Sequence, residues 1–178
     1  MKTKDTKQKI KEFFLENPTK KLRVRQIERE LKLSLPSVIR YAKELVKEGI
    51  LKIEEISGIN FFVANYGDEG YLLEKQLHNT KRVHNSGIIN YLVEEYSNPV
   101  IIIFGSFSKG EDIEASDVDI YIQTPSKKKI SLAKYEKILG KKIQLFQGIS
   151  LKNLSNPHLA NNIVNGIILN GSLEIFDE

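Results

Sequence analysis

The sequence predicts an α+β protein made of two parts. The first part is a small domain of three helices and a β-hairpin, and the second is a small mixed-sheet domain with flanking helices. Three observations support this: helical and strand periodicities alternate along the 178 residues, positive charge is concentrated before residue 67, and two apolar strands flank a Gly-Ser pair and two aspartates. We expect a first domain at residues 1–66, connecting helices at 67–97 and a second domain at 98–178.

The charge distribution sets the first domain apart from the rest of the chain. Residues 1–66 contain 15 Lys and Arg against 9 Asp and Glu, whereas residues 67–178 contain 12 against 14. A basic module joined to a near-neutral domain indicates that the first domain binds a partner, although a solvated lysine-rich surface would give the same counts.

The absence of cysteine and of long apolar runs restricts the chemistry and the environment of the chain. Without cysteine, disulfides, thiolate metal sites and cysteine nucleophiles are excluded, in agreement with a reducing cytoplasm. The lysine-rich start is unlike a signal peptide, and no stretch reaches the length of a transmembrane helix. We therefore expect a cytoplasmic protein without a membrane partner.

The pattern of the first 66 residues predicts three helices and then a hairpin. Ser34 and Pro36 suit the start of the third helix, and Gly49 suits its end. The predicted elements are helices at Lys7–Leu15, Arg25–Leu31 and Ser34–Gly49, followed by strands at Ile50–Glu55 and Asn60–Ala64. This order of elements over residues 4–65 resembles a winged helix-turn-helix domain.

The winged-helix resemblance implies DNA binding. In such domains the third helix enters the major groove and the wing touches the flanking backbone. The exposed face of the third helix is expected to present Ser37, Arg40, Tyr41, Lys43 and Lys47 to the DNA. At the start of the second helix, Arg23 and Arg25 are expected to contact phosphates. Many winged helices bind proteins instead, and Glu44 and Glu48 weaken the basic stripe. Winged-helix regulators are often dimers that read two half-sites, so a homodimer is the default expectation.

The segment between the two domains has a helical pattern. Apolar residues follow helical spacing from Tyr71 to Tyr96, and Asn85-Ser86-Gly87 is expected to interrupt them, which gives two helices. Asn98-Pro99 then separates the second helix from an apolar strand at Val100–Phe104.

The strongest functional signal lies between the strands Val100–Phe104 and Val118–Ile122. Gly105-Ser106 follows the first strand, and Asp117 and Asp119 stand at the start of the second. Residues two apart in a strand share a face, so the two carboxylates project together. They repel each other unless a cation lies between them, and oxygen ligands suit Mg²⁺ shared with phosphates. A plain turn followed by two exposed aspartates is the alternative for each residue taken alone.

The order and spacing of a known signature are present in Gly105-Ser106, Lys109-Gly110 and Ser116-Asp117-Val118-Asp119. The segment resembles the minimal branch of the nucleotidyltransferase superfamily that includes DNA polymerase beta, and the similarity extends from about Lys81 to Phe176. The resemblance implies a nucleoside triphosphate held by Gly105, Ser106, Lys109 and Ser116. It also implies Mg²⁺ or Mn²⁺ on the catalytic residues Asp117 and Asp119.

Two departures from the family pattern concern catalysis. The family more often has arginine where this chain has Lys109, so a bidentate grip on phosphate is lost. Active members supply a third acid from a later strand, whereas the matching strand Lys142–Gln147 offers Gln144, a neutral amide that cannot act as a base. Whether the domain catalyses transfer is therefore left open.

Two functions from different classes follow from these patterns. In the first, the protein transfers a nucleoside monophosphate to a hydroxyl of a protein or nucleic acid; family members often act as antitoxins that modify a partner toxin. In the second, it is a DNA-binding regulator whose degenerate nucleotidyltransferase domain senses nucleotide or dimerises. The basic first domain and Gln144 favour the second function. The intact Asp117 and Asp119 favour nucleotide binding in both.

Overall fold

A computed structural model describes residues 2–174, and predictions for residue 1 and residues 175–178 lie outside this range. Its helices are α1 (Lys2–Glu16), α2 (Val24–Leu31), α3 (Leu35–Lys47), α4 (Glu69–Ser86), α5 (Ile88–Glu95), α6 (Gly105–Lys109), α7 (Ala133–Leu139) and α8 (Pro157–Val164). Its strands are β1 (Lys21–Leu22), β2 (Leu51–Ile56), β3 (Ile59–Ala64), β4 (Val100–Phe104), β5 (Val118–Gln123), β6 (Ile143–Gly148) and β7 (Ile167–Asn170). The mixed α+β class is confirmed. Over the described residues, no helix combines the length and the apolar character needed to cross a bilayer.

The first compact unit, Met1–His78, packs α1, α2 and α3 with the antiparallel sheet β1-β3-β2. Its core combines apolar strand residues with helical side chains, of which Ile10, Phe14, Ile27, Val38 and Leu45 are fully buried. The three helices and the hairpin are confirmed, although α1 starts earlier than predicted. The winged helix-turn-helix assignment of this unit stays a prediction.

Helix α3 begins and ends close to the predicted positions because its flanking residues suit them. Ser34 precedes the helix in an extended conformation, Pro36 lies in its first turn, and Gly49 follows it with φ +75°. The Ser34 hydroxyl donates to Ser37 Oγ at 2.7 Å and does not cap the helix backbone. The bounds of α3 are therefore set by Pro36 in its first turn and by Gly49 after its end, and its buried apolar face stabilises it.

The second compact unit, Asn79–Glu178, is built on the mixed sheet β6-β5-β4-β7. Strand β4 pairs antiparallel with β5 and β7, and β5 pairs parallel with β6. Helices α5 and α7 supply Leu92 and Tyr135 to the core on one face, and α8 supplies Ile163 to the core on the other. Because both faces are covered, the central strand β4 is a continuous apolar run.

The side chains of β5 alternate between the two faces of this sheet. Val118 and Ile120 point into the core beneath α5 and α7, as predicted, whereas Tyr121 packs in the opposite core. Asp119 shares the face of Tyr121, and the strand register places Phe104 of β4 and Gln144 of β6 on either side of it. The register thus brings three separate segments together around one carboxylate.

The two units divide within α4, between residues 78 and 79, whereas the predicted junctions lie at residues 66 and 97. Tyr71 near the start of α4 is fully buried in the first unit, where its hydroxyl donates to the Phe14 carbonyl at 3.1 Å. Val83, near the end of the helix, and Ile88 of α5 pack in the core of the second unit. The predicted connecting helices are thus parts of the two units, because their apolar side chains are buried in both cores.

Candidate functional site

Two aspartates mark one edge of the sheet in the second unit. Asp117 immediately precedes β5, and Asp119 is its second residue, opposite Phe104 of β4. Both side chains are partly exposed, whereas the intervening Val118 is fully buried. Because side chains alternate along the strand, Val118 anchors the segment in the core while the carboxylates of Asp117 and Asp119 stay accessible on the opposite face.

Gly105 brings the backbone of the Gly-Ser turn against the Asp119 carboxylate. It follows β4 directly and has φ +72°, a conformation that glycine adopts without strain. A Cβ atom at this position would collide with Oδ2 of Asp119. Conformation and space both require glycine here, so the turn and the second aspartate form one site.

The electrostatics of the aspartates favour a cation. Burial raises the pKa of Asp119 above its ordinary value, and the negative charge of Asp117 raises it further. A divalent cation between the two carboxylates would lower the pKa of Asp119 and offset both effects, and the carboxylate oxygen atoms fit Mg²⁺. No cluster of three or more His, Cys, Asp or Glu with metal-binding geometry occurs among the described residues. Asp117 and Asp119 would therefore leave the other positions around the ion to phosphate and water.

Gln144 lies beside the aspartates, at the position where the family resemblance predicts the third acid. It is exposed on β6, paired in register with Asp119, and its Nε2 donates to Asp117 Oδ2 at 2.5 Å. Glu136, the nearest acidic residue before it in the sequence, accepts from Ile143 N at 3.2 Å and pairs with Lys142 at 3.3 Å. The hydrogen bond from Ile143 lowers the pKa of Glu136. The Glu136 carboxylate therefore stabilises the start of β6 through these contacts.

The other predicted nucleotide-binding residues take different positions around the turn. Ser106 is partly exposed in the first turn of α6, and no partner of its hydroxyl occurs within the described part of the chain. Lys109 is exposed at the end of the same helix. Ser116 uses its hydroxyl to accept from Ile113 N at 3.0 Å, so it closes the loop before Asp117. Ser106 is thus the best placed of the three to donate to a phosphate.

Comparison with known proteins supports this assignment of the second unit. The family model described as polymerase beta, nucleotidyltransferase, matches residues 87–173. A protein of Methanocaldococcus jannaschii named "putative protein adenylyltransferase" is 33% identical over 84 residues, which cover 43% of this chain and 81% of that relative. The chain belongs to the polymerase beta nucleotidyltransferase family. The residues that the family model matches lie within the second unit, and no solved structure matches the chain.

The basic face of α3 in the first unit carries less free charge than its sequence suggests. Arg40 is exposed, but its Nε donates to Glu44 at 3.0 Å, and its guanidinium lies 5.1 Å from the Tyr41 ring. The expectation that Tyr41 is exposed is wrong, because this side chain is only 6% exposed and belongs to the core. Lys43 and Lys47 are exposed, and Ser37 is partly exposed.

A cavity at the start of α2 gathers arginines that the sequence only partly identified. Arg23, Arg25 and Arg29 line an open cavity of about 370 Å³ together with Asn60 of β3. All three arginines are exposed, and no acidic partner of Arg25 or Arg29 is found among the described side chains. Arg29 and Asn60 were not predicted. The four-residue spacing of Arg25 and Arg29 would have placed both on one helix face, but nothing in the sequence linked them to Asn60.

Proposed function

We propose that the second unit binds a Mg²⁺–nucleoside triphosphate complex and transfers a nucleoside monophosphate to a hydroxyl group of a protein or nucleic acid. The observation that carries this proposal is the approach of Gly105 to Asp119. A glycine at the turn lies directly against the Asp119 carboxylate, two residues from Asp117, which is the arrangement that a phosphate chain and its cation need.

Each residue of the site has a distinct role in this proposal. Gly105 lets the phosphates approach the backbone, and the Ser106 hydroxyl donates to a phosphate oxygen. Lys109, which is exposed on a flexible side chain, neutralises phosphate charge as a point charge. Asp117 and Asp119 would hold the ion, which supplies charge stabilisation at the attacked phosphorus and the leaving pyrophosphate.

A protein hydroxyl is the first acceptor to test, because the name of the Methanocaldococcus relative describes transfer to a protein. The acceptor would then be a side chain of a partner protein, such as a toxin that this chain modifies as an antitoxin. A homodimer would offer a second copy of the chain as another acceptor.

Gln144 favours a second candidate function, in which the site binds nucleotide without transferring it. A neutral amide cannot take the proton of the acceptor hydroxyl, and here it occupies an oxygen of Asp117 as a hydrogen-bond donor. In this case the protein is a regulator that responds to nucleotide, and its output is DNA binding or dimerisation.

The first unit is proposed to bind DNA in either case. The arginine cavity supports this because its guanidinium groups have no acidic partners among the described residues and can contact phosphates. Lys43 and Lys47 add exposed charge on α3, the proposed recognition helix. The tip of the hairpin argues for a protein partner instead, since Ile56 and Ile59 are exposed there at 43% and 42% and no basic residue lies between them.

Incubation with each α-labelled nucleoside triphosphate and Mg²⁺, with and without cell lysate, tests the enzymatic proposal. The matched control is the variant that combines Asp117→Asn with Asp119→Asn. Label transferred by the wild-type protein alone would establish the transferase and identify the acceptor. Binding of nucleotide without transfer would establish the regulatory candidate, and absence of both would reject nucleotide binding at this site.

A further inference from the structure

A buried ion pair lies beneath the loop that joins α6 to β5. Asp112 in this loop and Lys141, just before β6, are 3.1 Å apart, and their side chains are only 2% and 5% exposed. Burial of two charges is costly because both lose their hydration, and well-packed apolar residues would often be equally stable. A pair this deeply buried therefore calls for a reason other than stability.

Every donor of the Lys141 ammonium group has an acceptor in the loop. Besides Asp112, it donates to the carbonyl of Ile113 at 2.5 Å and to the carbonyl of Ser116 at 3.3 Å. The other carboxylate oxygen of Asp112 accepts from Asn79 Nδ2 at 2.7 Å. Lys141 is thus bonded directly to the peptide group that precedes Asp117.

The loop is closed on itself at the same point. Ser116 N donates to the Ile113 carbonyl at 3.0 Å, and the Ser116 hydroxyl accepts from Ile113 N at 3.0 Å. On the other side of Asp117, Val118 N donates to the Lys142 carbonyl at 2.8 Å. The backbone on both sides of Asp117 is therefore held by two consecutive residues, Lys141 and Lys142, which lie in the segment between α7 and β6.

A further contact links this arrangement to the Gly-Ser turn. The amide of Asn79 that donates to Asp112 also donates to the carbonyl of Phe107 at 2.9 Å, within α6. Phe107 follows Ser106 in the same short helix, and its side chain is fully buried. One buried network therefore touches both the proposed phosphate-binding helix and the loop that carries the first aspartate.

We infer that Lys141 is a positioning residue that holds Asp117 at the distance from Asp119 that a divalent cation requires. This inference rests on the proposed function of the site. Lys141 contacts neither carboxylate of the proposed metal pair in the structure, and it acts through the Ser116 carbonyl and the Asp112 carboxylate. The hydrogen bonds of the buried Lys141 ammonium group restrict the loop to one conformation. An apolar pair would not do so, because it makes no directional bonds.

The test compares Lys141→Met with Lys142→Met, using the full chain and Mn²⁺ as the probe, with free Mn²⁺ followed by electron paramagnetic resonance. Lys142 is the matched control because its side chain is 78% exposed and pairs only with Glu136 among the described side chains, while its carbonyl is retained in the variant. Loss of an outer partner of a metal site weakens metal affinity roughly 10–100-fold. We expect Mn²⁺ affinity to fall by at least about tenfold in Lys141→Met and to stay within about twofold of wild type in Lys142→Met.

A second variant separates positioning from folding. Lys141→Met removes the cation that pairs with the buried Asp112 carboxylate and is expected to lower stability, so Asp112→Asn is combined with it to remove the remaining negative charge. We expect this double variant to recover thermal stability while Mn²⁺ affinity stays low, because no donor to the Ser116 carbonyl is restored. Recovery of affinity together with stability would overturn the positioning role.

The outcomes also distinguish this inference from the proposed function. Unchanged Mn²⁺ affinity in both Lys141 variants, with normal binding by wild type, would overturn the inference alone. Absence of Mn²⁺ binding by the wild-type protein would overturn the proposed function, and the inference would fall with it.

Discussion

The two units of this protein hold their functional residues in different ways. In the second unit, Gly105, Asp119 and Gln144 come from neighbouring strand ends whose positions are set by backbone pairing. In the first unit, charged side chains lie on exposed faces, and some neutralise each other, as Arg40 and Glu44 do. A site set by backbone pairing can be located from spacing alone. The usable charge of a surface depends on which of its side chains pair with one another, as the i,i+4 pair of Arg40 and Glu44 shows.

Substitution of both aspartates should have the largest effect on nucleotide binding, and it would distinguish the function of the second unit from that of the first. We expect the double variant Asp117→Asn, Asp119→Asn to lower Mg²⁺-dependent nucleotide affinity by more than about 100-fold, since outer partners alone change metal affinity by 10–100-fold. Isothermal titration calorimetry measures this change. DNA binding by the first unit should be unaffected, and unchanged nucleotide affinity would mean that the metal site is assigned wrongly.

Gly105→Ala tests whether the close approach in the second unit is essential. Alanine at φ +72° costs about 1–2 kcal/mol, and its Cβ would displace the Asp119 carboxylate. We expect nucleotide affinity to fall roughly tenfold, on the scale of a disturbed metal ligand, along with a lower melting temperature.

Gly87→Ala is the control for this substitution. Gly87 has φ +79°, but a Cβ there has no atom within 4 Å. It should therefore lower stability by a similar amount without affecting nucleotide binding. Equal losses of nucleotide affinity in both variants would show that the collision with Asp119 is unimportant.

Gln144→Glu tests whether the neutral amide at this position is what prevents a bound nucleotide from being transferred. A carboxylate at this position adds a third acidic oxygen ligand beside Asp117 and Asp119, so Mg²⁺ affinity should rise several-fold. Label transfer should appear or increase if the amide is what limits catalysis. Weaker metal binding in the variant would show that the Gln144 donor is needed to hold Asp117.

The arginines of the first unit provide the matching test for the surface site. Arg25→Ala and Arg29→Ala should each reduce the slope of log affinity for DNA against log salt by about 0.9, the value for one lost phosphate contact. Arg40→Ala should weaken DNA binding less, because Glu44 already holds that guanidinium. Fluorescence anisotropy over a salt series distinguishes the three, and a larger effect for Arg40 would place the main contact on α3.

The smallest expected effect is on pH-dependent stability. The pKa of Asp119 is raised in the folded protein, so its ionised form opposes folding above that pKa. Without metal, the contribution of Asp119 should make the free energy of unfolding rise as the pH falls through the raised pKa towards the ordinary value of an aspartate. Asp119→Asn should remove this contribution and slightly stabilise the metal-free protein above the raised pKa. Urea unfolding at several pH values measures it, and an unchanged pH profile in the variant would contradict the assignment.

Much of the fold could be predicted because its local signals are strong. The strands around Gly105-Ser106, the break near Gly87 and the start of α3 at Ser34 and Pro36 all follow from residues whose backbone preferences are narrow. The position of Gln144 beside the aspartates was also predicted and is confirmed. The predicted exposure of Tyr41 is wrong, since helical spacing alone does not fix the width of a buried face.

The residues that can form the turn and the carboxylate pair were predictable from the sequence, because spacing along a strand fixes side-chain direction. Three features become visible only in the folded chain: Lys141 reaches the peptide before Asp117, Arg29 and Asn60 line one cavity, and α4 contributes to two units. These features join residues that are far apart along the chain. Lys141 and Ser116 are separated by 25 positions, and no local preference links such residues until the sheet and its helices have packed.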